Sequence, residues 1–275
     1  MQTPLDPVVE YGIERARQLL NGKKVIAITG AGVSTDSGIP DYRGQGRVVR
    51  DPLTFDQFLA SEANQARYWA RSFAGWNRIA TAEPNRAHKS LAAAEHSGLL
   101  SHLITQNVDG LHQRAGSENV LELHGRLDQV ICIDCNEYIS RLEMDNQIQL
   151  QNPSLTRQLE VEFTPDGDAE IEVPGDFTAP ACRSCGGRYK PDVVFFGEQI
   201  PVARVEMARA KVEGAEAMLV AGTSLTVNSG LRLVKQAKEQ RLPVVIINLG
   251  ETKADQITDV KINASAGAVL ESLYL

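Results

Sequence analysis

Short apolar runs alternate with stretches of helical spacing along most of the 275-residue chain. Four runs end in glycine, asparagine or aspartate, and they lie in "KKVIAITG", "SHLITQNVDG", "EAMLVAG" and "LPVVIINLG". Strands with both faces buried, as in parallel sheets, have this nearly continuous apolar character. Helical spacing occurs in "VVEYGIERARQLL" and over residues 86–96, 202–212 and 229–240. The alternation predicts an α/β fold with a doubly wound parallel sheet.

Polar loops follow the four predicted strands, at residues 30–43, 106–109, 222–224 and 248–250. The carboxyl ends of parallel strands meet at one edge of a sheet, and ligands of open α/β sheets bind in the crevice beyond that edge. We therefore expect the four loops to line one crevice that takes a sizeable ligand.

Two segments interrupt the alternation. Residues 44–76 are rich in aromatic residues and arginine and predict a helical insertion, whereas residues 129–188 hold all four cysteines. We therefore predict a small lobe made of these two segments, inserted into a main domain of residues 1–43, 77–128 and 189–275.

The second segment contains a strongly acidic stretch, residues 141–176, which we call the acidic spacer. A run of like charges usually forms a solvated surface. We expect a solvated loop here, with a docking surface for a basic partner as the alternative.

Composition and charge narrow the class of protein. The chain is 43% hydrophobic and 23% charged, with a net charge of −7 at pH 7. Nucleic-acid surfaces need clustered Lys and Arg, so this balance argues against a nucleic-acid partner. No apolar run reaches the roughly 18 to 20 residues of a membrane span, and the first residues resemble neither a secretory signal nor a mitochondrial presequence. We expect a cytoplasmic protein without membrane association.

The four cysteines form two C-x-x-C pairs, Cys132 with Cys135 and Cys182 with Cys185. Two such pairs predict a tetrahedral four-thiolate zinc site, which is structural because no coordination position stays open. The intervening residues 136–181 exceed the usual spacing of about 15 to 20, so a segment is inserted there. Disulfides are the alternative, which a reducing cytoplasm disfavours.

A glycine-rich stretch, "GAGVSTDSGIP", follows the first predicted strand. Closely spaced glycines let backbone N–H groups approach a phosphate, and a following helix N-terminus favours an anion. The triphosphate-binding loop requires a lysine after its last glycine, and no lysine follows Gly38; the dinucleotide fingerprint has Thr35 where its third glycine belongs. A plain tight turn between strand and helix remains the alternative.

His124 is the best candidate for a catalytic base, since it ends a short apolar run in "VLELHGRLDQ" just before the cysteine segment. Ligand clefts form at such domain junctions. A capping or core role for His124 is the alternative. His88 and His96 are expected on a helix surface. Gln106, Asn107 and Asp109 follow another predicted strand, where turn formation is the simpler explanation.

The segment "KPDVVFFGE" has two interpretations. A core strand is the simpler one. The other is an exposed strand edge that pairs with an extended peptide.

Taken together, these segments resemble the sirtuin family of NAD-dependent protein deacylases. The matching segments are "GAGVSTDSGIPDYRG", "TQNVDGLHQRAG", "ELHG", the two C-x-x-C pairs, "KPDVVFFGE", "GTSL" and "INLG", and they occur in the family's order. Tyr42, "RYWARSFAGW" and the long spacer resemble the class II branch, which includes mitochondrial sirtuin four.

The resemblance implies a Rossmann-like NAD-binding domain, one structural zinc, and acyl-lysine proteins or peptides as substrates. The implied products are free lysine, nicotinamide and O-acyl-ADP-ribose, with His124 as general base on a ribose hydroxyl. Protein mono-ADP-ribosyl transfer is the alternative activity. Asn107 and Asp109 are implied as catalytic residues in the nicotinamide pocket.

The resemblance also assigns binding residues. NAD contacts are implied for Gly30, Ala31, Gly32, Ser34, Thr35, Ile39, Pro40, Asp41, Tyr42, Arg43, Gln106, Asn107, Val108, Asp109, Gly222, Thr223, Ser224, Asn248, Leu249, Gly250 and Ala266. Peptide contacts are implied for Val193, Val194, Phe195, Phe196, Gly197 and Glu198.

In the desuccinylating branch of the family, a Tyr-x-x-Arg pair holds an acidic acyl chain. Tyr68 and Arg71 have that spacing. Matching on Trp69 instead places the pair at Ser72 and Gly75, so we do not expect Tyr68 and Arg71 to bind an acidic acyl group.

Overall fold

The computed structural model describes residues 6–42, 53–155, 164–169 and 171–275. Arg43 and residues 44–52 of the predicted helical insertion lie outside these ranges. The described helices are α1 (Pro7–Leu20), α2 (Phe55–Ala60), α3 (Glu62–Ala80), α4 (Arg86–His96), α5 (Leu111–Arg114), α6 (Arg141–Gln151), α7 (Val202–Glu213), α8 (Asn228–Glu239) and α9 (Ala266–Tyr274). The described strands are β1 (Val25–Thr29), β2 (Leu100–Thr105), β3 (Val120–Glu122), β4 (Gly125–Cys132), β5 (Tyr138–Ser140), β6 (Tyr189–Val193), β7 (Ala217–Ala221), β8 (Val244–Ile247) and β9 (Val260–Ile262).

A parallel sheet of order β3-β2-β1-β7-β8-β9 forms the centre of the main domain. All residues of β1, β7 and β8 are buried, which explains their continuous apolar sequences. Alternate residues enter opposite cores, because successive side chains of a strand point to opposite faces. Val25 and Ala27 pack with α1, α4 and α9, whereas Ile26 and Ile28 pack with α7 and α8. The predicted doubly wound α/β fold is therefore confirmed.

The small lobe is built on an antiparallel sheet of order β5-β4-β6. β4 begins at Gly125 and β6 spans Tyr189–Val193, so the small sheet takes in residues on both sides of the cysteine segment that the sequence had placed in the main domain. The reason is the pairing of two strands: β4, which leads into the first cysteine pair, runs antiparallel to β6, which follows the second pair. Its core joins α3 to the sheet through Trp69, whose indole N–H donates to the Tyr189 carbonyl at 3.1 Å.

The acidic spacer is not a solvated loop throughout: that expectation is wrong for residues 141–151, which form a helix, whereas residues 171–176 are irregular and mostly exposed. It begins with α6, whose Met144 and Ile148 are fully buried. Arg141 and Asp145 are also buried and form an ion pair at 2.8 Å. The charges are accommodated because they neutralise each other and because the guanidinium stacks over the Trp76 ring. Residues 164–169 return to pack on α3.

No helix among the described residues has both the length and the apolar character that crossing a bilayer requires.

Candidate active site

A cavity of about 1570 Å³ lies at the carboxyl ends of β1, β2, β7 and β8. The predicted loops and the segment after β6 meet there. Of the residues assigned to NAD and peptide, those lining it are Gly30, Ala31, Gly32, Ser34, Thr35, Ile39, Asp41, Tyr42, Gln106, Asn107, Val108, Asp109, Gly222, Thr223, Ser224, Asn248, Leu249, Gly250, Ala266 and residues 193–198. His124 lines it as well, whereas Pro40 is not among the lining residues.

The glycine-rich loop owes its glycines to contact with a second loop. The Gly32 N–H donates to the Gly222 carbonyl at 2.8 Å, and a Cβ on Gly32 would lie 2.8 Å from the same oxygen. A Cβ on Gly30 would lie 2.6 Å from Thr223. The loop continues in two 3₁₀ turns, Ala31–Val33 and Thr35–Ser37, rather than in an α-helix. Within residues 30–42, the loop thus has no long helix whose N-terminus could face a phosphate.

His124 lines the cavity, and one of its ring nitrogens carries no hydrogen. Its Nδ1 lies 3.1 Å from the Gln106 carbonyl oxygen, which only accepts, so the hydrogen is assigned to Nδ1. Nε2 lies 2.9 Å from the Ser229 hydroxyl, which donates to it. Burial lowers the pKa of His124 below 6.5. The imidazole is therefore neutral at physiological pH and can accept a proton at Nε2.

Ser34 joins the glycine-rich loop to the residues after β2. Its hydroxyl donates to Asp109 Oδ2 at 2.7 Å and accepts from Asn107 Nδ2 at 3.0 Å. Asp109 Oδ1 accepts from the Leu111 N–H at 2.9 Å. Burial raises the pKa of Asp109, and these hydrogen bonds offset part of that increase. Asn107 and Asp109 are thus held in fixed orientations rather than forming only a turn.

His88 is a residue that the sequence analysis misplaced. It is fully buried rather than on a helix surface. Its Nδ1 accepts from the Asn85 N–H, which leaves Nε2 to donate to Ser34 at 3.4 Å. The signal was present in the sequence, since His88 lies three residues before buried Leu91 on the same helix face.

His112 was also missed, and it packs against His88 with ring centroids 4.8 Å apart. Its Nε2 lies 2.9 Å from Thr29 Oγ1, and Thr29 bonds to Thr105. Burial lowers the pKa of His112 well below its usual value and that of His88 to about 4. Both rings are therefore neutral. His88 bonds to Ser34, and His112 is linked through Thr29 to Thr105 at the end of β2.

The segment after β6 is braced as a turn. The Glu198 carboxylate accepts from the Phe195 N–H at 2.9 Å and forms an ion pair with Lys190 at 3.2 Å. The Val194 N–H donates to the His124 carbonyl, and the Phe196 carbonyl accepts from the Phe55 N–H. Some backbone groups of this segment therefore have partners within the chain.

The four cysteine sulfurs converge at one end of the small lobe, all within 4.8 Å of one another. Cys132 Sγ lies 3.6 Å from Cys185 Sγ, and Cys135 Sγ lies 3.7 Å from Cys182 Sγ. Tetrahedral zinc with Zn–S bonds of about 2.3 Å spaces its sulfurs by about 3.8 Å. These separations fit a structural zinc site and are far longer than the roughly 2.05 Å of a disulfide.

Comparison with known proteins gives a consistent result. Residues 30–229 match the family described as the Sir2 family. An NAD-dependent protein deacetylase of Streptomyces coelicolor is 46% identical over 253 residues, covering 90% of this chain and 84% of that protein. The NAD-dependent protein deacylase Sirt4 of Drosophila melanogaster is 42% identical over 276 residues, covering 98% and 88%. A solved structure described as "Sir2-p53 peptide-NAD+" has a TM-score of 0.76 at 30% identity, covering 95% of this chain and 96% of that chain.

Proposed function

The chain belongs to the Sir2 family, and from this premise we propose that it is an NAD-dependent protein lysine deacylase that transfers the acyl group to ADP-ribose. The observation that carries the proposal is the neutral His124, whose unprotonated Nε2 faces the cavity. Similarity to Sirt4 of Drosophila supports the class II assignment.

NAD is assigned to the loops at the carboxyl ends of the parallel strands. Gly30 to Gly32 and Gly222 to Ser224 form a contiguous backbone surface there, and Asn248 lies beyond them. When bound, NAD supplies ADP-ribose as the acyl acceptor and releases nicotinamide. Asp109 and Asn107, held by Ser34, are assigned to orient the nicotinamide end.

His124 is assigned to remove a proton from a ribose hydroxyl that then attacks the acyl carbon. The Ser229 hydroxyl marks a position from which an O–H group reaches Nε2 at 2.9 Å. The Gln106 carbonyl stabilises the tautomer in which Nδ1 carries the hydrogen and Nε2 can accept a proton. A general base of this kind accelerates its step by roughly 10² to 10⁴-fold.

Residues 193–198 are assigned to the acyl-lysine peptide, because they border the same cavity as His124. Phe195 is buried, with its ring 5.2 Å from those of Phe58 and Tyr68. A cytoplasmic location is part of the proposal, since a four-thiolate zinc site needs reduced cysteines.

Mass spectrometry of a reaction with NAD and an acyl-lysine peptide tests the proposal. We expect free lysine peptide, nicotinamide and O-acyl-ADP-ribose, and their loss in His124→Ala but not in His96→Ala, an exposed histidine on α4. ADP-ribose attached to protein, without peptide deacylation, would instead establish the mono-ADP-ribosyltransferase alternative. A wild-type protein that consumes no NAD, whether by deacylation or by ADP-ribosyl transfer, contradicts both activities.

A further inference from the structure

We propose that Arg204 of α7, through its ion pair with Asp192 of β6, is a positioning residue for His124: the pair fixes the strand that follows the base and holds a positive charge beside the imidazole. The inference rests on the proposed function, because it concerns the base of that reaction. It assigns a role in the chemistry to two residues that do not line the cavity.

The ion pair joins the two lobes at a mostly buried position. Arg204 Nη2 donates to Asp192 Oδ1 at 2.9 Å and to Oδ2 at 2.7 Å. The two side chains are 20% and 13% exposed. Arg204 belongs to α7, whose Ala208 and Val212 pack in the core of the main domain, whereas Asp192 belongs to the small sheet. Because little solvent screens this pair, its charges act on neighbouring groups more strongly than surface charges do.

The guanidinium packs on the backbone of the residue that follows the base. A Cβ on Gly125 would lie 2.9 Å from Arg204 Nη1 and 1.9 Å from the Asp192 carbonyl oxygen. Gly125 also has a φ of +83°, in the left-handed region that favours glycine. A glycine after His124 therefore allows Arg204 to approach the base this closely.

The pairing of β4 with β6 is interrupted at the end that follows His124. It is made at Gly125 and resumes only at Val130, and Asp192 is the β6 residue that lies in this interruption. The carbonyl of the base accepts from the Val194 N–H at 2.8 Å. The carboxylate in the interruption binds the arginine that packs on Gly125, so the ion pair adds a side-chain contact where the backbone ladder is missing.

Other charged groups near His124 have partners of their own or lie in the cavity. Glu122 accepts from Gln113 Nε2 at 2.7 Å and pairs with Arg126 at 3.9 Å, and Arg126 also pairs with Asp128. Burial raises the pKa of Glu122, whereas the nearby Arg126 lowers it. After β2, after β6, on α7 and on α8, the charged side chains that share the cavity with the ring are Asp109, Glu198, Arg209, Arg232, Lys235 and Glu239.

Arg204 also acts on the proton affinity of the base. Burial lowers the pKa of His124, the hydrogen bond with Gln106 raises it, and the Arg204 guanidinium lowers it. A nearby positive charge disfavours the imidazolium because like charges repel. The arginine thus helps to keep the imidazole neutral, and a neutral imidazole can accept the ribose proton at Nε2.

Neutralising each partner in turn provides the test, because the two charges act on the imidazole in opposite directions. Arg204→Gln removes the positive charge and leaves the carboxylate, so the acid limb of the pH profile should move to higher pH. Asp192→Asn leaves the guanidinium unpaired and should move the limb to lower pH. Between pH 8 and pH 5.5, kcat/KM should fall at least about twofold more in Arg204→Gln than in the wild-type protein.

Further variants separate the charge from the packing. Arg204→Lys keeps the charge, so its acid limb should have the wild-type midpoint even where kcat is lower. Lys211→Gln removes a positive charge from the same helix at a position outside the cavity, and it should match the wild type. In place of a variant that does not fold, Arg204→Met or Asp192→Ser is measured.

Proton NMR of the His124 ring in the NAD-free protein gives the same titration without turnover, and its midpoint should move in opposite directions in the two neutral variants. A wild-type midpoint in either folded variant, or shifts of the same sign in both, overturns the inference. Failure of the proposed function is seen separately, as a wild-type protein that does not deacylate the peptide, and it overturns this inference as well.

Discussion

At the scale of single residues, three histidines near the cavity have different roles because their ring nitrogens have different partners. His124 has one nitrogen fixed by a carbonyl and one that faces the cavity. His88 and His112 are buried; His88 bonds to the Ser34 hydroxyl and the Asn85 N–H, and His112 bonds to the Thr29 hydroxyl. Burial lowers the pKa of all three, but only His124 can reach a substrate.

His124→Ala should lower kcat by roughly 10² to 10⁴-fold, since a general base contributes about that much. The pH profile is the more specific measurement. Because burial lowers the pKa of His124 below 6.5, the wild-type rate should stay constant as the pH falls to 6.5 and decline only below it. An acid limb with its midpoint above pH 6.5 would contradict the assignment of His124 as the base.

His88 should make the protein sensitive to mild acid. Its folded-state pKa of about 4 lies below the unfolded value of 6.5, so the unfolded state binds more protons between these two values. Above pH 6.5, His88 is neutral in both states and does not change the free energy of unfolding. Between pH 6.5 and about pH 4, that free energy falls by up to about 1.4 kcal/mol per pH unit. Denaturant unfolding at pH 7.5 and 5.5 measures this loss.

A His88→Gln variant should show a smaller loss between these two pH values, and His96→Gln, on the exposed end of the same helix, should match the wild type. Equal pH dependence in His88→Gln and wild type would show that His88 does not carry the effect.

At the scale of elements, the contact between α3 and the acidic spacer shapes one end of the cavity. The helix contributes Tyr68 to the wall and Arg71 and Gly75 to the contact with residues 164–169. A glycine inside a helix costs about 1 kcal/mol relative to alanine. Its presence at position 75 is explained by the Gly167 carbonyl, which leaves no room for a methyl group.

Gly75→Ala should lower the free energy of unfolding by about 1 to 2 kcal/mol, since overpacking against a backbone carbonyl outweighs the gain in helix propensity. Proteolysis should also cut the spacer faster near residues 164–169. Gly175→Ala is the matched control, because a Cβ there has no atom within 4 Å. An alanine at position 75 that stabilises the protein would show that the contact with Gly167 is unimportant.

At the scale of the whole molecule, the two lobes meet at the cavity, and the cysteines lie at one end of the small lobe's sheet. Cys132 ends β4, and Cys182 and Cys185 precede β6. His124 directly precedes β4, and residues 194–198, which are assigned to the peptide in the proposed function, directly follow β6. Zinc should therefore act on activity only through the fold of the lobe.

Cys182→Ala should yield protein with less than one zinc per chain, and its thermal transition should fall sharply. Structural zinc supplies roughly 10 to 16 kcal/mol of binding energy in zinc-finger peptides, and that energy is available only in the folded state. Zinc content and the melting curve are the measurements. Ser184→Ala, at an exposed position between the two cysteines of that pair, should behave as wild type, whereas an unchanged melting curve in Cys182→Ala would contradict a structural site.

The sequence by itself determined the features that depend on local pattern. Continuous apolar runs predicted β1, β2, β7 and β8, because burial on both faces leaves its mark within a few residues. The zinc site was predictable for the same reason, since the two cysteines of each C-x-x-C pair are close together in the sequence. The motifs around His124 and the glycine-rich loop placed the chain in its family, which the comparisons confirm, while the roles of the individual residues stay predictions.

Only the tertiary structure decided which distant residues meet. The sequence around His88 does not indicate that its ring bonds to Ser34. The charge of the acidic spacer likewise does not indicate that Asp168 pairs with Arg71 or that Gly167 packs against Gly75. Such contacts join segments roughly 50 to 100 residues apart, and they form only once the lobe that holds both partners has folded. A local sequence pattern reflects the secondary structure and solvent exposure of a residue. The burial of a charge depends instead on a partner from a distant part of the chain.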